Sequence, residues 1–168
     1  MSASGAPKRD PSVTEPSPEG DTRAGLTITR TFEAPRELVW KEWTEPERFA
    51  DWFGAELEVP IGSVSMDVRP GGSLRLKMLT GRDANEIQWK GEYSEVHEPE
   101  RLVFTISDQP GEERYEEITV VLTDLGDGRT EVLLQQRGHM TPEQYERAGQ
   151  GWSGFFDRMA ERLADTTN

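Results

Sequence analysis

The amino-acid sequence predicts an α+β domain in which a strongly curved antiparallel sheet wraps around one long C-terminal helix. Three observations lead to this fold class. Short segments with alternating apolar and polar residues follow one another through the middle of the chain, with turn residues between them. One strand and two short helical patterns precede these segments, and a long amphipathic pattern ends the chain. Because the sheet and the helix each have one apolar side, they bury it best against each other.

The clearest strand pair lies between residues 87 and 106, where a short polar turn containing Pro99 joins two alternating runs. The inward-facing residues predicted by this alternation are Ile87, Trp89, Gly91 and Tyr93 in the first strand and Leu102, Phe104 and Ile106 in the second. Since bulky aromatic side chains share one face, another element must cover them.

Five further strands are predicted at residues 26–32, 64–68, 74–78, 118–122 and 132–136. The first is rich in Thr and only weakly amphipathic. The others have one apolar and one polar face, as expected of an antiparallel sheet that is solvated on one side. Turn signals at residues 69–72 and 124–128 separate them.

Two short helices are predicted between the first and second strands. Pro35 opens the first at a favoured first-turn position. Its apolar face contains Leu38, Val39 and Trp43. Residues 44–47 have the form of a capping box, which places Thr44 at the N-cap of the second helix. The buried side of that helix contains Phe49, Trp52 and Phe53, and Gly54 ends it.

The final helix is predicted to start after Thr141, which can cap it, while Gln144 can close a capping box. Its apolar residues recur at spacings of three and four. They are Tyr145, Ala148, Trp152, Phe155, Phe156, Met159 and Leu163. A helix of this extent is about 35 Å long and can lie across a whole sheet.

Composition excludes several classes of function. The chain has 168 residues and a formal net charge of −13, which disfavours nucleic acids and anionic membrane surfaces as partners. It has no cysteine, so disulfides and thiolate metal sites are excluded. No apolar run approaches the roughly 20 residues of a membrane span, and no secretory signal is recognisable. We therefore expect a cytoplasmic protein without membrane insertion.

The N-terminal segment differs in composition from the rest of the chain. Residues 1–24 are rich in Ser, Pro, Gly and charge and almost lack large apolar side chains. Such a segment buries too little surface to offset its ordering entropy, so we expect a disordered tail. Residues 25–165 then form a single domain.

The run from Trp89 to Ile106, together with Gly151-Trp152 and residues 157–160, resembles the SRPBCC (START-like) superfamily. Within it, the sequence is similar to the branch named for the C-terminal domain of activators of the heat-shock protein 90 ATPase. The similarity covers roughly residues 26–164. The resemblance implies a START/Bet v-like helix-grip fold with the order β-α-α-β6-α and a hydrophobic internal cavity.

The concave side of the predicted sheet is the candidate ligand site, because the apolar faces of sheet and helix converge there. We expect the lining to contain Trp52, Met66, Met78, Trp89, Tyr93, Phe104, Leu122, Gln136, His139, Trp152, Phe156 and Met159. Gln136 is polar on an apolar face and needs a partner, which in a pocket is often the polar end of a ligand. Arg69 could neutralise an acidic group at the rim.

A closed core is the alternative to a cavity. The residues alone favour it, since apolar stripes usually form ordinary core. The resemblance favours the cavity.

No catalytic, metal-binding or cofactor-binding motif is recognisable, and we expect neither a metal nor a cofactor. The two histidines, His97 and His139, lie outside any metal-ligand pattern. The acidic run at residues 112–117 is expected to be a solvated strand entrance. Tyr93, His139 and Glu56 are candidate acid–base groups, but they form no recognisable pair.

Three functions are therefore open. The first is binding of a small hydrophobic or amphipathic molecule in the cavity. The second is a co-chaperone-like, protein-binding domain, for which a chaperone would be the partner; the separate N-terminal domain of the eukaryotic activators is not recognisable here. The third is a cyclase/aromatase-like enzyme acting in the cavity, which we rank below binding. An exposed strand edge could also support a homodimer.

Overall fold

The computed structural model describes residues 25–54, 57–79, 85–108 and 115–167. The strands are β1 (Gly25–Phe32), β2 (Ser65–Met66), β3 (Ser73–Leu79), β4 (Glu86–His97), β5 (Arg101–Ser107), β6 (Glu116–Gly126) and β7 (Arg129–Arg137). The helices are α1 (Arg36–Thr44), α2 (Pro46–Trp52) and α3 (Pro142–Thr167), with one 3₁₀ turn at Ile61–Ser63. The predicted order β-α-α-β6-α is confirmed. The predicted tail at residues 1–24 lies outside the described residues.

The seven strands form one antiparallel sheet in the order β1-β7-β6-β5-β4-β3-β2. Helix α3 packs against β1, α1 and α2, and α1 packs against β6 and β7. The α+β fold class, with a long C-terminal helix on an antiparallel sheet, is therefore confirmed. No helix within the described residues is long and apolar enough to cross a membrane.

The core joins all three helices to the sheet. The Trp43 ring lies 4.7 Å from that of Trp52, 6.1 Å from that of Trp152 and 6.1 Å from that of Phe156, measured between centroids. Contacts at this separation stabilise aromatic clusters beyond simple burial. The inward residues of the strands alternate as predicted, and the cluster includes Leu76, Phe104, Ile118, Leu122 and Leu134.

Three local predictions were wrong. Thr44 does not cap the second helix; its hydroxyl donates to the Trp40 carbonyl oxygen at 2.9 Å, inside the last turn of α1. Glu45 occupies the N-cap position of α2 without a side-chain cap bond, and Pro46 takes the first turn. Pro35 is the N-cap residue of α1 rather than its first-turn residue. The predicted strand at residues 64–68 forms only the two-residue β2.

The other helix ends agree with prediction. Gly54 follows α2 with a φ of 102°, a conformation that favours glycine and ends the helix. At the start of α3, the Gln144 backbone N–H donates to Thr141 Oγ1 at 3.2 Å, and the Thr141 N–H donates to Gln144 Oε1 at 2.8 Å. This is the reciprocal pattern of a capping box.

A buried ion cluster that the sequence analysis missed joins α1 to α3. Glu42 is completely buried, and Arg162 Nε donates to its Oε1 at 2.9 Å while Nη2 reaches Oε2 at 3.3 Å. Arg162 Nη1 also pairs with Asp51, which lies in α2. Arg48 Nη1 lies 3.5 Å from Glu42 Oε2. Burial lowers the pKa of Arg162, but the hydrogen bonds and charges of Glu42 and Asp51 outweigh it, so the net direction is upward.

Candidate functional site

A pocket of about 670 Å³ lies between the N-terminal half of α3 and one end of the sheet. At this end β3 and β5 finish, β4 and β6 begin, and β7 leads into the loop before α3. The residues that line the pocket are Phe53, Met78, Ile87, Trp89, Ile106, Ser107, Asp108, Glu116, Gln136, His139, Met140, Gln144, Arg147, Ala148, Gly151, Trp152 and Phe155. This volume falls within the range of small-molecule sites.

Aromatic side chains form the apolar part of the pocket. The Phe53 ring lies 5.0 Å from that of Phe155, 5.8 Å from that of Trp89 and 6.0 Å from that of Trp152. The side chains of Met78 and Ile106 are buried beside them. An apolar molecule placed here would contact ring faces and edges over much of its surface.

A hydrogen-bonded network centred on Glu116 forms the polar wall. Glu116 Oε1 accepts from Gln136 Nε2 at 3.1 Å and from the Tyr145 hydroxyl at 2.8 Å. Glu116 Oε2 accepts from the backbone N–H of His139 at 2.8 Å. Gln136 Oε1 accepts from Trp152 Nε1 at 2.8 Å. The predicted need of Gln136 for a partner is therefore met by the protein itself, from two sides.

Gly138 lets this network form. A Cβ atom at residue 138 would overlap the Glu116 carboxylate. The close approach keeps that carboxylate within reach of the His139 N–H and the Tyr145 hydroxyl.

The structure brings some of the predicted lining residues to the pocket and places others in the core. Five line it, and these are Met78, Trp89, Gln136, His139 and Trp152. Seven do not: Trp52, Tyr93, Phe104, Leu122, Phe156 and Met159 are buried in the core, and Met66 packs against that core. One end of the sheet–helix interface is thus a closed core, and the other is a pocket.

The charged groups near the pocket also differ from expectation. Arg69 pairs with Asp67 at 2.9 Å and is absent from the lining, whereas Arg147 lines the mouth. The prediction of a merely solvated acidic run was wrong for Glu116, which accepts three hydrogen bonds from protein donors. Residues 112–114 of that run lie outside the described residues.

Two of the three candidate acid–base groups, Tyr93 and His139, lie in different parts of the domain. Tyr93 is buried in the core, where burial, and then the charge of Asp67, raise the pKa of its hydroxyl. His139 lines the pocket mouth, and Glu56 lies outside the described residues. Within the described ranges, no group of three or more His, Asp or Glu side chains is placed to hold a metal ion.

The Tyr145 hydroxyl makes the network sensitive to alkaline pH. Burial, together with the hydrogen bond to Glu116, raises the pKa of Tyr145 from 10.0 to about 12. The folded state holds this proton more tightly than the unfolded state, so the stabilisation is complete below pH 10 and is lost as the pH rises toward 12.

Tyr145→Phe is therefore expected to lower the free energy of unfolding by about 1–2 kcal/mol at pH 8, because Glu116 loses a donor. The difference in the free energy of unfolding between the wild-type protein and the variant should become smaller between pH 10 and 12. Urea unfolding of both proteins at pH 8, 10 and 11.5 measures it. A difference that stays constant over this range would contradict the assigned hydrogen bond.

Comparison with solved structures places this fold among known ones. A protein from Chromobacterium violaceum is 22% identical with a TM-score of 0.74, over 83% of this chain and 96% of that one. A Nitrosomonas europaea protein is 24% identical with a TM-score of 0.72, over 88% and 98%. The AHSA1 protein from Silicibacter pomeroyi is 21% identical with a TM-score of 0.73, over 84% and 98%. At these identities the likeness shows the fold.

Sequence comparison then assigns the family. No curated protein matches the chain. The model of one protein family matches residues 33–164, which include α1, α2, strands β2 to β7 and all but the last three residues of α3, but none of β1. The chain therefore belongs to the Activator of Hsp90 ATPase homolog 1-like protein family, within the SRPBCC superfamily.

Proposed function

We propose that this protein binds a small amphipathic molecule with a hydrophobic body in the pocket beside α3. The observation that carries the proposal is the pocket itself, which combines an aromatic interior with a polar mouth. An apolar ring system that buries about 200 Å² would contribute about 5 kcal/mol before the cost of association is subtracted. The polar mouth would then orient the molecule.

The polar wall of the pocket is held in place by hydrogen bonds within the protein. Gln136 and Glu116 are held by Trp152, Tyr145 and the His139 N–H, so their positions are set before a ligand arrives. Such preorganisation reduces the ordering cost of binding. Chaperone binding and catalysis in the cavity stay predictions for this chain.

Gly151 offers a direct test of the pocket. It lines the pocket, and a Cβ atom there would meet open space. The side chain of Gly151→Phe can therefore leave α3 without a clash at its Cβ atom, and we expect it to occupy part of the pocket. We expect it to weaken binding of the neutral fluorophore N-phenyl-1-naphthylamine at least about tenfold, since the probe loses its apolar contacts. Fluorescence titration measures the change.

Gly149→Phe is the matched control. Gly149 lies in the same helix two residues earlier, also has open space at its Cβ position, and is absent from the pocket lining. Its variant should bind the probe within twofold of the wild-type protein. Thermal unfolding of both variants checks that each is folded. Equal probe binding by the two variants would place the probe elsewhere and count against the pocket.

The natural ligand can be sought in parallel. Native mass spectra of the protein after incubation with an extract of its source cells should show an adduct of defined mass. The Gly151→Phe protein should not retain that adduct.

A further inference from the structure

We infer that the ligand of this pocket carries an acidic group, which Arg147 binds at the mouth. The inference rests on the proposed function and adds the chemical class of the ligand: an organic acid with an apolar, ring-containing body. Arg147 is solvent-exposed and lines the pocket. Among the described residues, no carboxylate lies within ion-pair distance of its guanidinium.

Among the residues that the structure describes, Arg147 lacks an ion-pair partner, in contrast to the other arginines that α3 contributes or contacts. Arg30 pairs with Asp157, Arg158 with Asp51, and Arg162 with Glu42. The whole chain has 32 Asp and Glu against 19 Lys and Arg, so carboxylates are abundant on this protein. A guanidinium at a pocket mouth with no such partner in the described part of the chain is available to a ligand carboxylate, sulfonate or phosphate, which it can bind through two N–H groups.

The start of α3 adds to the attraction. Helix α3 has 26 residues and begins at Pro142, with Thr141 as its cap. Gln144, in the first turn, lines the pocket next to the turn that carries Arg147. The N-terminal turn of a helix carries partial positive charge, which favours an anion within about one turn. His139, in the loop before the helix, lies at the same mouth.

The carboxylates of the pocket would fix the side on which the acidic group sits. Both oxygens of Glu116 already accept hydrogen bonds from protein donors. Asp108 follows the end of β5 and lines the opposite, sheet side of the mouth. An anion is repelled from that side, so it would lie against α3 while the apolar body enters the aromatic interior.

Two fluorophores with the same ring system test the charge preference. N-phenyl-1-naphthylamine is neutral, and 8-anilinonaphthalene-1-sulfonate adds one sulfonate to it. Arg147→Gln should weaken sulfonate binding about three- to tenfold, the range for an exposed charge-assisted contact, and leave the neutral probe within twofold. The effect on the sulfonate should shrink in high salt because screening weakens the contact. Arg147→Lys should give an intermediate loss.

Arg75→Gln is the matched control, since it removes the same charge from an exposed residue of β3 that is absent from the pocket lining. It should change neither probe by more than twofold. Equal effects of Arg147→Gln on both probes, or no effect on either, would overturn the acidic-group inference while the pocket stands. Binding of only the neutral probe by the wild-type protein would also overturn the acidic-group inference. If the wild-type protein bound neither probe, the proposed function itself would fail.

Discussion

Replacing Arg162 by Ala is expected to lower the free energy of unfolding by about 3–5 kcal/mol, because it leaves a buried carboxylate without its main partner. Glu42 is completely buried, and Arg162 contacts both of its oxygens. Arg48, at 3.5 Å, would be the remaining cation near Glu42 among the described residues. The loss should appear as a lower urea midpoint with an unchanged slope.

Arg158→Ala is the control for this prediction. Arg158 lies one turn earlier on α3, pairs with Asp51 and Glu161, and its side chain is 41% exposed, compared with 18% for Arg162. Exposed pairs of this kind contribute about 0–1 kcal/mol. The double variant Glu42→Leu/Arg162→Leu should recover most of the lost stability, since it removes the unpaired charge as well as its partner. Similar losses in the two single variants would contradict the special role of the buried pair.

The fold could be predicted because its elements carry separate and consistent signals. Period-two alternation marks each long strand, and the apolar spacing of α3 runs from Tyr145 to Leu163. Local hydrogen bonding was less predictable. The Thr44 hydroxyl could form either of two local hydrogen bonds, one that caps α2 or one that it donates to the Trp40 carbonyl oxygen. The structure shows the second.

The pocket could be located only in part. Alternation identifies which residues of a strand face inward. It does not give the distance between each of these residues and α3. Phe104 and Leu122 are buried in the core away from the pocket, whereas Met78 and Trp89, on equivalent faces, line the pocket. That difference depends on the path of α3 relative to the curved sheet, which the pattern of one chain does not contain.

Two charged residues were missed although the pattern contained a signal for them. Glu116 has the same inward parity as Ile118 in β6, so alternation alone predicts that it points to the concave side. Glu42 lies three residues after Val39, on the buried face of α1. In both cases the charge suggested a solvated side chain, and the partners that make burial tolerable are distant in sequence.

Gly91→Ala is expected to destabilise the domain by at least about 3 kcal/mol, since it forces apart two central strands. Gly91 lies in β4 opposite Ile106 of β5. A Cβ atom at residue 91 would overlap the backbone carbonyl oxygen of Thr105, which a rotamer change cannot move. A glycine inside a strand commonly marks such a close backbone approach. The expected result is a large fall in the urea midpoint, or failure to fold.

Gly62→Ala supplies the comparison that makes the result interpretable. Gly62 lies in the 3₁₀ turn, and a Cβ atom there would meet open space, so this variant should stay within about 0.5 kcal/mol of the wild-type protein. If Gly91→Ala were equally mild, β4 and β5 could move apart without loss of stability, and the close backbone approach at this pair would not be needed. A large difference would instead show that β4 and β5 pack through a backbone contact that only glycine allows. Trp89, two residues away in the same strand, lines the pocket, so this contact would also support the strand that presents Trp89.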